Sequence, residues 1–147
     1  MMECRFLSHH QVDEVADTFE RAFSDYFIKM RDSPSSWLMG RCKKNAVSWE
    51  HSVGVFDGGR MVGFTLLGLD AWRGGVAAFD AGTGLIPGYR GRGLGPAMLD
   101  WATPRLLSDG VQRLVLEVLQ ENEPAIRAYR KAGFDVEIPS VWMCRRL

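Results

Sequence analysis

Tyr89-Arg90-Gly91-Arg92-Gly93-Leu94-Gly95 is the stretch on which the reading of this chain turns. It lies between an apolar run ending at Leu85-Ile86-Pro87 and a helix-like run beginning at Pro96. So little side-chain cover at a helix start leaves main-chain N–H groups free, and the helix end adds roughly half a positive charge. Gly91, Gly93 and Gly95 let a bulky anion reach the main chain and permit positive φ. Arg90 and Arg92 add permanent charge with forked donors that suit phosphate. The physical reading is a cradle for a pyrophosphate.

Two familiar nucleotide patterns do not fit. The dinucleotide fingerprint G-x-G-x-x-G fails because Pro96 stands where its third glycine is required, and no Gly-Lys-Ser/Thr of a P-loop occurs. What remains is Arg90-x-x-Gly93-x-Gly95. Downstream come Arg113-Leu114-Val115-Leu116-Glu117-Val118, then Asn122-Glu123-Pro124-Ala125-Ile126-Arg127-Ala128-Tyr129, then Gly133-Phe134.

The first run resembles the coenzyme A-binding motif Q/R-x-x-G-x-G/A of the GNAT superfamily of N-acetyltransferases. The downstream string is similar to that family's second block, a strand followed by N-x-x-A-x-x-x-Y and closed by G-F. The motifs carry the resemblance from about Phe79 to Phe134, and the N-terminal half matches in its order of elements. The resemblance implies a single acetyltransferase domain over 1–147, with acetyl-CoA as co-substrate and no metal. It implies that pantetheine lies in a wedge between the strands matching Ala78 to Ile86 and Arg113 to Leu119. Main-chain groups at Leu85 and Ile86 would meet its amides, and the N–H groups of Gly91, Arg92, Gly93, Leu94 and Gly95 would take the pyrophosphate. The Leu94 side chain itself reads as core.

Asn122 and Tyr129 are seven residues apart and share one helix face. Asn122 suits an N-cap as well as a ligand contact. By resemblance Tyr129 sits beside the coenzyme A sulfur, where a phenol with a pKa of about 10 would protonate the departing thiolate. An alkyl amine must lose a proton before it attacks, so a base is needed. Asp80, Glu117 and His51 are the candidates, and a backbone N–H near Leu85 is the expected donor to the tetrahedral oxyanion. The basic residues Arg127, Arg130 and Lys131 either offset a helix dipole or meet the 3′-phosphate. The acceptor would be a small-molecule or peptide amine, chosen near the first two helices, where Tyr26, Phe27, Trp37, Trp49 and Trp72 cluster in sequence.

Composition sets the bounds. A chain of 147 residues with 46% apolar residues can hold a core. Its 18 basic and 18 acidic residues cancel, so no diffuse basic field recommends nucleic acid or a membrane surface. Apolar runs such as Met61 to Leu69 are too short for a bilayer span, and Met1-Met2-Glu3-Cys4-Arg5 lacks the apolar core of a signal peptide. Cys4, Cys42 and Cys144 are scattered, which suggests a reducing cytoplasmic setting, and neither Cys42 nor Cys144 has a motif for carrying an acyl group. The chain would act as a monomer or a homodimer.

Pattern predicts the elements. A strand at Arg5-Phe6-Leu7 precedes a helix with Ser8 as cap and Val12, Val15, Phe19, Phe23 and Tyr26 on one face. Asp32-Ser33-Pro34 breaks it, and a second helix runs from Ser35 to about Lys44. Strands follow at Val53 to Phe56 and Met61 to Leu69, joined by Asp57-Gly58-Gly59-Arg60. After a loop at Trp72 to Gly75, a strand runs from Val76 to Ile86, where Gly82 and Gly84 suggest a bulge or a close ligand approach. Pro96 to Ser108 is a helix with Leu94, Met98, Ala102 and Leu106 in one stripe and a kink at Pro104. A strand at Arg113 to Leu119, a helix at Glu123 to Ala132 and strands at Phe134 to Ile138 and Val141 to Arg145 complete the chain. The order β-α-α-β-β-β-α-β-α-β-β is an α/β or α+β mixed sheet, and the resemblance sharpens it to the GNAT fold. Two other readings keep the anion cradle: an acyl-CoA-binding or regulatory module without turnover, and a nucleotide-binding α/β protein.

Overall fold

The computed structural model describes residues 1–25, 35–141, 143, 145 and 146. Tyr26, Phe27, the break at Asp32-Ser33-Pro34 and Cys144 lie outside these residues. The chain divides into two compact units, Met1–Leu116 and Glu117–Leu147.

The first unit holds the sheet. Its elements are β1 (Met2–Phe6), α1 (Val12–Ala22), α2 (Ser35–Lys44), β2 (Val53–Asp57), β3 (Arg60–Trp72), β4 (Gly75–Leu85), α3 (Leu94–Ser108) and β5 (Val111–Val115). The strands lie in the order β1-β2-β3-β4-β5. The first three pairings are antiparallel and β4–β5 is parallel, so the mixed sheet expected from the element order is present. Gly58 and Gly59, at φ 57° and 83°, close the β2–β3 hairpin as a tight turn demands. The β3–β4 connection is shorter than expected: Arg73 and Gly74, at φ 48° and 82°, form a two-residue turn between strands that run up to it.

Helical periodicity places the core. Val15 and Phe19 of α1 meet Leu38 and Cys42 of α2 over Phe64 and Leu66 of β3. Phe19 is the hub, stacked on Phe64 with ring centroids 6.0 Å apart. Ser8 does cap the chain's first turn, a short 3-10 segment, through a reciprocal bond pair with Gln11. The α3 helix buries Met98, Leu99, Ala102 and Leu106. It starts at Leu94, two residues before the expected Pro96, because Gly93 at φ 71° supplies the turn into the helix. Pro104 lies inside α3, where the Thr103 hydroxyl donates to the Leu99 carbonyl.

In the second unit α4 (Glu123–Lys131) is capped by Asn122, whose side chain accepts the Ala125 N–H at 3.4 Å. Gly133, at φ 95°, ends the turn after it, and the Phe134 ring meets Tyr129 edge-on at 5.6 Å. The strand expected over Arg113 to Leu119 instead ends at Val115, so Glu117 lies beyond it in an exposed, non-strand segment. Among the described residues no strand follows Gly133, which corrects the one expected at Phe134 to Ile138; the one expected at Val141 to Arg145 falls partly outside the described residues. A strand persists where a partner covers one face, and here Val136 and Ile138 are 58% and 61% exposed.

Candidate functional site

The β4 strand has two different ends. Val76 to Phe79 pairs with β5, and the pairing stops at Phe79↔Val115. From Asp80 to Leu85 no strand among the described residues lies on that side. On the other side β3 stays paired to Leu85, with one irregularity: Leu66 faces Gly82 while Leu67 faces Asp80, so Ala81 is an extra residue. The sequence signal for a bulge was real, although the bulged residue is Ala81 rather than either glycine. A Cβ on Gly82 would meet open space, whereas one on Gly84 would lie 3.0–3.1 Å from Phe64, Ala22 and Phe23. Gly84 is therefore small so that the end of α1 can close on the sheet.

The ladder's alternation aims the free edge. The Ile86 N–H donates to Val62 O at 2.9 Å, and its carbonyl accepts from the Tyr89 N–H at 2.8 Å. The Ile86 N–H is thus engaged with β3 rather than turned to the open edge, and its carbonyl already accepts one bond. In an antiparallel ladder the neighbouring positions then point outward, so Thr83 and Leu85 turn their N–H groups to the open edge. The Leu85 carbonyl accepts from Arg90 Nε at 3.3 Å, and among the described residues its N–H has no acceptor.

Beyond the strand the chain turns through Pro87–Tyr89 into the glycine run. Gly91 and Gly93 have φ of 73° and 71°. Among the described residues the amides of Gly91, Arg92, Gly93, Leu94 and Gly95 donate to no protein acceptor, and the helical ladder begins with Ala97 N–H to Gly93 O at 3.1 Å. Pro96 has no N–H to offer. Five consecutive open amides thus stand at the start of a 15-residue helix, where the helix dipole favours negative charge.

The arginines do not act as a matched pair. Arg90 grips both Asp25 oxygens at 2.7 and 2.9 Å and the Ala22 carbonyl at 2.5 Å. Its guanidinium ties the end of α1 to the end of β4, and so the expected phosphate fork on Arg90 is engaged elsewhere. That hydrogen bond from Arg90 holds the Asp25 carboxyl below its usual range. Arg92 lies over the Tyr89 ring at 5.1 Å and donates to Gly88 O at 2.9 Å, which leaves the rest of its exposed fork at the cradle. Tyr89 in turn donates to Asp57 at 2.8 Å and fixes the turn to the β2–β3 hairpin.

Asp80 sits partly buried beside the bulge. Its Oδ1 accepts the Gly82 N–H at 2.9 Å and its Oδ2 the Thr83 hydroxyl at 2.6 Å. Burial pushes this carboxyl above its usual range, against the two hydrogen bonds that favour the charged form. His51 is not available: it is buried, with Ser48 on Nδ1 and Asp109 on Nε2, each at 2.6 Å. Cys42 is buried too, and burial raises its thiol, the opposite of what a nucleophile needs. On the α1/α2 side of the sheet the bulge borders a shallow apolar recess, open to solvent, with Phe19, Leu38, Phe64, Ala81 and Gly82 in its walls and Arg41 at its edge. Of the expected aromatics among the described residues, none lines this recess. Trp37 packs on Phe19, Trp49 lies against the core and Trp72 meets Phe79 in the hairpin.

Sequence reasoning missed Asp25, Thr65 and Thr83. The spacing Asp80-x-x-Thr83 carried a local signal for a side-chain turn. Asp25 carried none, since its partner is 65 residues away.

A mixed sheet that opens at one edge and runs into a helix start with open amides defines the class as an α/β protein. The profile of the acetyltransferase (GNAT) family matches residues 13–134, and the chain belongs to that family. It is 40% identical over 60 residues to mycothiol acetyltransferase of Corynebacterium aurimucosum, covering 40% of this chain and 20% of that protein. It is 35% identical over 82 residues to streptothricin acetyltransferase of Streptomyces lavendulae, covering 56% and 42%. The matched stretch is thus less than half of either relative. An aminoglycoside N-acetyltransferase solved in complex with CoA superposes at a TM-score of 0.74 with 13% identity, covering 100% of this chain and 96% of that one, which shows a shared fold.

Proposed function

We propose that the protein transfers the acetyl group of acetyl-CoA to a primary amine by direct attack, without a covalent enzyme intermediate. One observation carries this reading. Open main-chain donors run from the free edge of β4 at Leu85 to the five amides of Gly91–Gly95. That spacing of donors fits a ligand with amides at one end and a diphosphate further along. Hydrogen bonds to a charged acceptor contribute about 1.5–3 kcal/mol each, so a few of them supply micromolar affinity, about 8 kcal/mol. The CoA complex of a protein with the same fold supports the choice of donor. Two relatives named for acetylating small molecules support a small-molecule acceptor over a peptide.

In this reading Asp80 accepts the ammonium proton, and the freed amine nitrogen attacks the thioester carbon. The second proton, made acidic by the new C–N bond, leaves to solvent. The Leu85 N–H meets the oxyanion as the tetrahedral centre forms. The C–S bond then breaks, and the thiolate takes a proton from Tyr129. Asn122 caps α4 and so positions the helix that carries Tyr129. Glu117 is the second choice as base, because it is exposed on irregular chain whereas Asp80 is held by two hydrogen bonds. Residues 1–147 are read as one acetyltransferase domain, since the family match crosses the boundary between the two units. No helix among the described residues is long and apolar enough to cross a membrane, and the scattered cysteines favour a cytoplasmic setting.

Calorimetric titration with acetyl-CoA, ATP and NAD tests the donor, and thiol release across amines, polyamines, antibiotics and peptides tests the transfer. Tight binding of acetyl-CoA alone, with thiol release on some amine, is expected. Equal affinity for ATP or NAD would refute the reading.

A further inference from the structure

Thr65 of β3 and Thr83 of β4 face each other at a position where the strands exchange no main-chain bonds, and their hydroxyl oxygens are 2.8 Å apart. Thr65 is 0% exposed. Thr83 also lies 2.6 Å from Asp80 Oδ2. A hydroxyl has one proton to give. Thr83 can spend its proton on Asp80 only if Thr65 donates to Thr83, so the three side chains form a chain with one sense, Thr65 to Thr83 to Asp80. A proton on Asp80 Oδ2 would reverse that sense. Thr83 would then donate to Thr65, and the Thr65 proton would have no acceptor among the described residues in a fully buried position. The arrangement is complete with Asp80 as acceptor and incomplete with Asp80 as donor.

We propose that Thr83, backed by Thr65, is a positioning residue for acetyl transfer, holding the Asp80 carboxylate in its proton-accepting form and orientation beside the open edge of β4. The inference rests on Asp80 as the base. Burial raises this carboxyl and the Thr83 hydroxyl works against that rise. The charged groups on neighbouring elements face elsewhere. Asp70 of β3 and Arg113 of β5 both lie opposite Ala77, and Arg60 of β3 is opposite Asp57. On α3, Asp100 is exposed and Arg105 is turned to the Glu50 carbonyl. The α1 charges Asp13, Glu14, Asp17, Glu20 and Arg21 belong to the helix that packs on the Phe64 face, opposite to the face of Thr65 and Asp80.

The experiment follows the Asp80 side-chain carbon by 13C NMR through a pH titration of the full chain. Thr83→Val removes the donor at nearly constant volume and is expected to move the Asp80 midpoint upward. Thr65→Val should move it less in the same direction, and Thr83→Ser should restore it. With an acceptor from the amine screen, Thr83→Val should lower kcat/KM about tenfold on the acid limb of the pH profile, with KM for acetyl-CoA unchanged. A Thr83→Val midpoint equal to wild type overturns the proposal, even if Asp80→Asn is inactive. Full turnover by Asp80→Asn overturns the base assignment and this role with it.

Discussion

Burial raises the Asp80 carboxyl, and that direction carries a sign for stability. The folded protein holds the proton more tightly than the unfolded chain, so this group's contribution is fully present below the unfolded carboxylate range and is lost as pH rises through the folded value. Asp80→Asn loses one of the two acceptors at every pH, but its Tm relative to wild type is expected to be higher at pH 7 than near pH 3, as scanning calorimetry at the two pH values would show. The same variant should lose about 10²–10⁴ in kcat/KM. Tyr129→Phe should lose turnover to a similar degree and keep acetyl-CoA affinity in calorimetry, which separates proton delivery from binding. At this scale the sequence was readable where chemistry is local. The amides of Gly91 to Gly95 follow from residue type alone. The fate of Arg90 does not, because Asp25 reaches it only once α1 has packed on the sheet. Ile86 is a similar case, since whether an amide is free depends on the register with Val62.

The turn into α3 works as a unit, and its glycines are required by conformation rather than by crowding. A Cβ on Gly93 would meet nothing within 4 Å, yet φ there is 71°. Gly93→Ala is expected to cost about 1–2 kcal/mol in denaturant unfolding, the usual penalty for a left-handed alanine. It should also weaken acetyl-CoA binding at least tenfold in calorimetry, because the new methyl stands where the anion approaches. Asp25→Asn acts from outside the turn by loosening the Arg90 clamp, and a several-fold rise in KM for acetyl-CoA with kcat retained is expected in steady-state kinetics. Gly84→Val would press on Phe64 and the end of α1 and should destabilise by about 1–3 kcal/mol. The paired elements were legible because alternation, turn residues and helical spacing agree along Val53 to Ser108. The tail after Gly133 alternates in the same way, but alternation only proposes a strand. A partner has to accept it, and sequence does not name partners.

For the whole molecule, a ligand that binds only the folded state stabilises it by about 2.7 kcal/mol at a hundred times its Kd. Acetyl-CoA at that excess should raise Tm by roughly 5–10 °C, and ATP should not, in a thermal shift assay at fixed salt. The class of fold could be read from the order of elements, and the five-stranded order β1-β2-β3-β4-β5 places the crossover through α3 next to the open edge. That edge has a consequence for how the protein survives without its ligand. A strand with unclaimed amides invites other extended chains to zip onto it and start a fibre. The surplus residue at Ala81 breaks the two-residue rhythm such an intruder would need, so a short guest can dock while a long ribbon loses register. Solubility on storage would thus be owed in part to this irregularity, and excising Ala81 would make the protein precipitate sooner.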